Sequence, residues 1–364
     1  MIVVSMKKKI LSLGLTLIAF CYAGVLFSQL TVVPGGSAFQ MGDALTGNGI
    51  TIQGTPTINC NPLSYGAFVN GGNNNLGITN GIALTTGHAQ GIAGPNDNIS
   101  YGVDLQGQYN DPHLTSIIPQ ANRDVCAIEL DIIPQCDTLT IRFVFGSDEY
   151  MEFVNLGYND AFGFFIFGPN PAGGMYNAYN IARLPNNTVV SIDNVNANNN
   201  SGYYIDNTGG TQMQYDGRTV VLSPKFKVVP CQTYHFKLII GDSGDGLIDS
   251  GVLIDFISCT NALSASANVV ASECGMDNGS VNVVTNGGNG PFDFDWSFNQ
   301  ALSGPLATNL APGDYSVEIE DMGISCATPT IINFTVPEDG PVPVIELFTN
   351  DSTPCFGDTI AVWG

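Results

Sequence analysis

Nowhere in this chain do apolar residues recur at helical spacing for more than three turns. They come in short runs, alternating or rich in aromatic and β-branched residues, at 138–145, 161–167, 219–229, 233–240 and 252–258. Gly, Asn, Pro and Asp separate the runs, as turns separate strands. One short helix is expected near 111–118, with Asp111 and Pro112 at its start. The fold class is therefore all-β. With 364 residues, 44% of them hydrophobic, the chain has room for two domains and a sizeable core.

The strand rhythm breaks at "NALSASA", from Asn261 to Ala267. A large, jelly-roll-like β-sandwich is expected over 29–262 and a small immunoglobulin-like sandwich over 263–338, with the start of a further β repeat in 339–364. In the small domain about six short strands fit between 268 and 336. Phe292, Phe294, Trp296, Tyr315, Val317 and Ile319 alternate with polar residues, so one face of each strand should build the core. Gly287-Gly288 and Pro312-Gly313 supply turns.

Lys7, Lys8 and Lys9, an apolar run from Ile10 to Phe20 and a small-residue exit near Ser28 read as a cleaved secretory leader over 1–28, with Met6 an alternative start. Cys21 follows Phe20, whereas lipoprotein processing prefers a small residue there. A retained anchor is the competing reading, but the run is short for a span. The expected location is secreted, extracellular or on the outer cell surface. Membrane contact is expected only through the leader or an anchor outside this sequence.

Asp and Glu number 32 against 10 Lys and Arg; losing the three leader lysines takes the formal charge from −22 to −25. No basic residue follows Lys237. Such a surface repels nucleic acid and anionic lipid, which need cationic contacts. Extracellular protein or polysaccharide surfaces are the expected partners.

Nine cysteines lack the CxxC pairs of a zinc site, and export favours disulfides. Cys274 and Cys326 bracket the small domain and are expected to pair. Cys136 and Cys231 each come just after a proline and open similar alternating strands, which suggests a second pair. Cys126–Cys259 would then join the two ends of the first domain. Cys60 is left over, and Cys355 is expected to pair past Gly364.

Two acidic loops follow hydrophobic strands. "FVFGSDEYMEFVNLGYNDAFGFFIFG" (143–168) carries Asp148, Glu149, Glu152 and Asp160 with no Lys or Arg. "GDSGDGLIDSG" (241–251) carries Asp242, Asp245 and Asp249. Neighbouring carboxylates either raise a partner's pKa or demand a cation. Hard oxygen ligands on glycine-rich turns suit Ca²⁺, although the spacing is not that of an EF-hand. The competing reading is a pair of solvated turns whose acids cap backbone N–H groups.

Catalysis is not expected. "GDSG" with His88 upstream has the chain order of a chymotrypsin-like protease. However, Asp245 replaces the glycine of the oxyanion loop, where a carboxylate would oppose developing negative charge. His88 lies in a Gly-rich turn without that family's signature, and His235 alternates within a strand, a packing position. A glycosidase needs two opposed carboxylates in an aromatic cleft. Asp148 and Glu149 are adjacent on a strand and face opposite ways unless the strand has ended. Trp296 could serve as a sugar platform, but its alternating position favours the core.

The stretches "GIALTTGHA" (81–89), "FVFGSDEYMEF", "NDAFGFFIFG", "NIARLP" (180–185), "VSIDNVN" (190–196) and "TYHFKLIIGDSGDGLIDSGVLI" together resemble the choice-of-anchor L domain of secreted and surface bacterial proteins. The resemblance runs in order over roughly 30–260; Asp148 stands where that family more often has Glu. "CGMDNGSVNVVTNGGNGPFDFDWS" and "NLAPGDYSVEIEDMGISC" resemble an SprB repeat. These resemblances imply a long surface or secreted protein, typical of Bacteroidetes and often exported by the type IX system through a C-terminal sorting domain. No such domain stands before Gly364, and the stop in mid-strand at "GDTIAVWG" reads as the end of a fragment. Neither family implies an enzymatic activity. The expectation is a structural, adhesin-like protein, non-catalytic and Ca²⁺-stabilised. The alternative is a glycan-binding module attached to a catalytic domain outside this sequence.

Overall fold

A computed structural model of the chain describes residues 30–70 and 76–340. The leader, Cys21, Cys355 and all but the first two residues of the expected further repeat lie outside them.

Two antiparallel sheets dominate the first domain. One has seven strands in the order Thr31–Pro34, Tyr65–Val69, Asn80–Thr85, Ser250–Ile254, Phe143–Ser147, Gly217–Thr219 and Tyr204–Asp206. The other has five, in the order Ile50–Asn59, Ala121–Pro134, Tyr234–Ser243, Ala161–Pro169 and Met175–Asn180. Between them lies one core: Ile82, Phe143, Phe145 and Val252 of the first sheet face Ile128, Phe162, Phe164 and Phe236 of the second.

Each sheet is covered on its outer face as well. Val144, Leu253 and Ala83 turn away from the central core and pack with Phe68, Met213 and Tyr215. Phe165 and Ile239 pack with Leu114 of the Pro112–Ile117 helix. Burial on both faces explains why "AFGFFIFG" is apolar at nearly every position instead of alternating. The helix falls where the sequence places it, with the Asp111 carboxylate accepting from the backbone N–H groups of His113 and Leu114. A second helix, Ala38–Leu45, is not in the sequence reading. Its capping box of Ser37 and Gln40 was a legible signal.

Two expected strands prove to be pairs. The run 138–145 divides into Thr138–Thr140 and Phe143–Ser147, which join different sheets. The run 219–229 likewise divides around Pro224, and Lys225–Lys227 joins Thr138–Thr140 and Ser258–Cys259 in a small three-stranded sheet. His235 is not a core packing residue; it stands half-exposed between Asp131 and Glu129, at 2.8 and 3.1 Å.

The second domain begins with the strand Ser264–Val270 and closes two three-stranded sheets over Val281, Phe294, Trp296, Val317 and Ile319. Phe292 and Tyr315 pack on that core only partly buried. Trp296 is fully buried and its indole N–H donates to the Gly304 carbonyl at 3.0 Å, so it is no sugar platform.

All three expected disulfides are replaced by others. The bridges are Cys60–Cys126, Cys136–Cys259 and Cys231–Cys326, and Cys274 is an exposed free thiol among the described residues. Cys126 lies on Ala121–Pro134, whose neighbour Ile50–Asn59 ends beside it and delivers Cys60. Cys136 and Cys259 flank the paired strands Thr138–Thr140 and Ser258–Cys259. Cys231 and Cys326 connect the two domains. Sequence enclosure suggested Cys274–Cys326, but the loop carrying Cys326 folds back on the first domain, where Thr328 meets Gln135 at 3.3 Å.

Candidate functional site

The two acidic loops meet because of the strand order. Phe143–Ser147 leaves the first sheet, and 148–160 crosses to Ala161–Pro169 in the second. Tyr234–Ser243 leaves the second sheet, and 244–249 crosses back to Ser250–Ile254 in the first. Ser147 pairs with Ser250 and Ala161 with Gly241, so both crossovers lie at one end of the sandwich.

There Asp148, Glu149, Asp160, Asp242 and Asp249 are each at most 2% exposed. These five of the seven sequence candidates are gathered; Glu152 is exposed and Asp245 half-buried on the rim. Three of the five carboxylates accept from backbone N–H groups. Asp148 accepts from the N–H groups of Tyr101 and Asp216, Asp249 from Val103 at 3.0 Å, and Asp160 from Ser243 at 2.8 Å. The Ser250 hydroxyl donates to the other Asp160 oxygen at 2.7 Å. So the capping reading is right for these oxygens, although the turns are buried instead of solvated.

The remaining oxygens are orphaned or nearly so. Glu149 Oε2 and Asp249 Oδ2 are buried with no hydrogen-bond partner, and the buried oxygens of Asp242 have at best the Asp160 carboxyl and the Thr86 hydroxyl beside them. Gly87 makes room for one of them, since a Cβ there would lie 1.7 Å from Asp249 Oδ2. Among the described residues, no Lys or Arg forms an ion pair with any of the five.

Burial without a cation disfavours the charged form. It pushes Asp148 up to about 7 and Asp249 to about 8. Burial and then the charge of Asp160 push Glu149 to about 9. Burial raises Asp160 to about 7 and, with Asp160 beside it, takes Asp242 well above the usual carboxylate range. At neutral pH this cluster must hold protons or a cation. Among the described residues no three carboxylates, imidazoles or thiols stand arranged as ligands to one ion. A cation at the orphaned oxygens would therefore need backbone oxygens or water to complete its shell.

The sequence reading missed Asp216, buried beside Asp148 and held by the Asn96 amide at 2.7 Å. It also missed Asp124, a left-handed residue (φ 44°) whose carboxylate accepts from Leu105 and Gly107. No signal marked Asp124. Asp216 sits in a turn-rich segment like many other aspartates. Gly87 was legible only as part of "GIALTTGHA".

Ser243 is buried with its N–H committed to Asp160, and among the described residues it shares no hydrogen bond with His88. Asp148 and Glu149 both point into the cluster because the strand ends at Ser147. That removes the objection from strand alternation, but the carboxylates are walled in instead of lining a cleft.

The family model of the choice-of-anchor L domain matches residues 40–272, which covers the first sandwich apart from its edge strand Thr31–Pro34, and the first strand of the second. Comparison with curated proteins gives no match. The chain belongs to the choice-of-anchor L domain family, and it is a cell-surface or secreted protein.

Proposed function

We propose that the chain is a non-catalytic, adhesin-like structural module of such a protein, with the crossover end of its first sandwich fastened by Ca²⁺. The orphaned oxygens of Asp249 and Glu149, with the buried carboxyl of Asp242, carry this reading, because buried carboxylates without donors are costly unless neutralised. Ca²⁺ at millimolar extracellular concentration suits an all-oxygen site of modest affinity. Glu149, Asp242 and Asp249 would contribute side-chain oxygens from the two acidic stretches, so the ion would tie one sheet to the other. Export by a leader and the SprB-like character of the second domain rest on resemblance and on the 1–28 pattern. They fit a chain that meets protein or polysaccharide surfaces outside the cell.

The test is thermal unfolding of the purified chain with millimolar Ca²⁺ and with chelator. Binding to the folded state raises the melting temperature by linkage. A melting temperature that ignores Ca²⁺ at every pH would leave protons as the only neutralising agent. Labelling of Ser243 by a fluorophosphonate would overturn the non-catalytic reading.

A further inference from the structure

Seven basic residues remain after the leader, and three of them line one cleft. The cleft, of about 980 Å³, opens between two sheet edges: Met175–Asn180 of the five-stranded sheet and Lys225–Lys227 of the small one. Lys225 and Lys227 are exposed on either side of buried Phe226. Arg183 is held by the carbonyls of Asn180 and Asn187 at 3.1 and 3.0 Å. Neither Arg183 nor Lys225 pairs with a carboxylate among the described residues. Among the described residues Asp137 is the one carboxylate lining the cleft, and its 2.8 Å pair with Lys227 is largely exposed and so weak. On a chain with a formal charge of −22 this is a local positive site.

The backbone also presents aromatic rings there. Tyr176 and Tyr179 are three apart on a strand and should face opposite ways. A bulge sets Asn177 and Ala178 (φ 50°) opposite the single residue Phe167 and restores both rings to one side, 5.6 Å apart. The Tyr176 hydroxyl donates to the Lys227 carbonyl at 3.0 Å and ties the two edges together. Tyr179 is left 48% exposed as a free ring face.

We propose that this cleft binds an acidic polysaccharide, a uronate-containing chain whose sugar faces stack on Tyr179 and whose carboxylates meet Arg183, Lys225 and Lys227. Flat exposed rings suit the apolar faces of sugars, while the fixed guanidinium and the two ammonium groups suit a repeating carboxylate. An acidic peptide would use the cations but not the ring. The proposal rests on the reading of the chain as a surface module and supplies its polysaccharide partner.

The experiment is calorimetric titration of the full chain with oligogalacturonate. EDTA prevents calcium bridging between two polyanions, and a pH of about 6 keeps the buried cluster protonated. Saturable binding is expected, weakened about tenfold by Tyr179→Ala and by the pair Arg183→Gln with Lys225→Gln. A neutral malto-oligosaccharide should not bind, and polyglutamate should bind at least about tenfold more weakly. Lys225 and Tyr179 are exposed, so their variants should melt with the wild type. No binding of oligogalacturonate, equal binding of polyglutamate, or indifference to Tyr179→Ala would overturn the proposal. Cleavage of the oligosaccharide during the titration would leave the cleft's ligand standing and sink the non-catalytic reading instead.

Discussion

Raising the pH in chelator should weaken the first sandwich, the reverse of what cation-paired carboxylates produce. Asp249 shows the size of the effect. Its ordinary value of 3.8 is pushed to about 8 by burial. Between those values the folded chain keeps a proton that the unfolded chain has released. The stability this proton confers is fully present below the unfolded pKa and is lost as pH rises through the folded one. One such group costs about 1.4 kcal/mol per pH unit, and on the order of 5 kcal/mol over the whole interval. Asp148, Asp160 and Glu149 shift in the same direction. The groups interact, so they titrate jointly and their costs do not simply add. Even one of them is a large part of a stability of about 5–15 kcal/mol.

Ca²⁺ offsets the slope, because it binds only the ionised carboxylates and displaces their protons. Melting curves should be recorded in EDTA and in millimolar Ca²⁺ from about pH 5 to about pH 9, spanning the raised values. For a domain of this size the EDTA series should fall by about 3–5 °C per pH unit near neutrality. The Ca²⁺ series should stay nearly level, so the gap widens with pH. A constant gap would refute calcium at this cluster. A melting temperature that rises with pH in EDTA would refute the raised carboxylates themselves.

Substitutions in the same cluster separate its parts. Asp242→Asn replaces a carboxyl that burial obliges to keep a proton with a group that needs none, so it should stabilise the chelated protein by about 1–3 kcal/mol above neutral pH and blunt the Ca²⁺ response. Gly87→Ala puts a methyl group onto Asp249 and should cost about 1–3 kcal/mol, read as a lower urea midpoint at unchanged m-value. For the cysteines, peptide mapping of the unreduced chain should recover Cys231 joined to Cys326, while Cys274 alkylates without denaturant. The digest needs a protease that cuts at acidic or aromatic residues, since no Lys or Arg follows Lys237. Cys274→Ser should change stability by no more than about 0.5 kcal/mol.

The all-β class was legible because periodicity is a local property. So were the Pro112–Ile117 helix and the core role of Trp296 and Val317, each fixed by neighbours a few residues away. Sheet membership was not legible. Nothing between Thr138 and Ser147 announces that the chain changes sheets at Ile141, because either sheet would accept the same alternating residues. The acidic cluster was legible as two loops but not as one site. Its unity depends on Ser147 pairing with Ser250 and Ala161 with Gly241, contacts that span 80 residues or more of chain. The positive cleft was hidden for a further reason. Its cations come from separate stretches, and its two tyrosines share a face only through a bulge at Ala178.

The cysteines show what enclosure in sequence leaves out. Cys274 and Cys326 bracket the small sandwich, and a bridge between them would have carried a stability of about the domain's own size. The structure places that load elsewhere. The core of Val281, Phe294, Trp296, Val317 and Ile319 closes without a disulfide. Cys326 reaches out to Cys231 in the turn before Tyr234–Ser243, a separation of 95 residues. The loop it closes contains the second acidic crossover and most of the small domain. In the chain-entropy model such a loop is worth about 4–5 kcal/mol, and that constraint falls on the junction between the domains. Thr328 against Gln135 adds a polar contact at the same place. The covalent path runs from the small sandwich into the turn before Tyr234–Ser243, the strand whose far end carries Asp242. Cys231–Cys326 braces the junction end of one strand, Tyr234–Ser243, at the centre of its sheet, and the proposed Ca²⁺ would brace the opposite end.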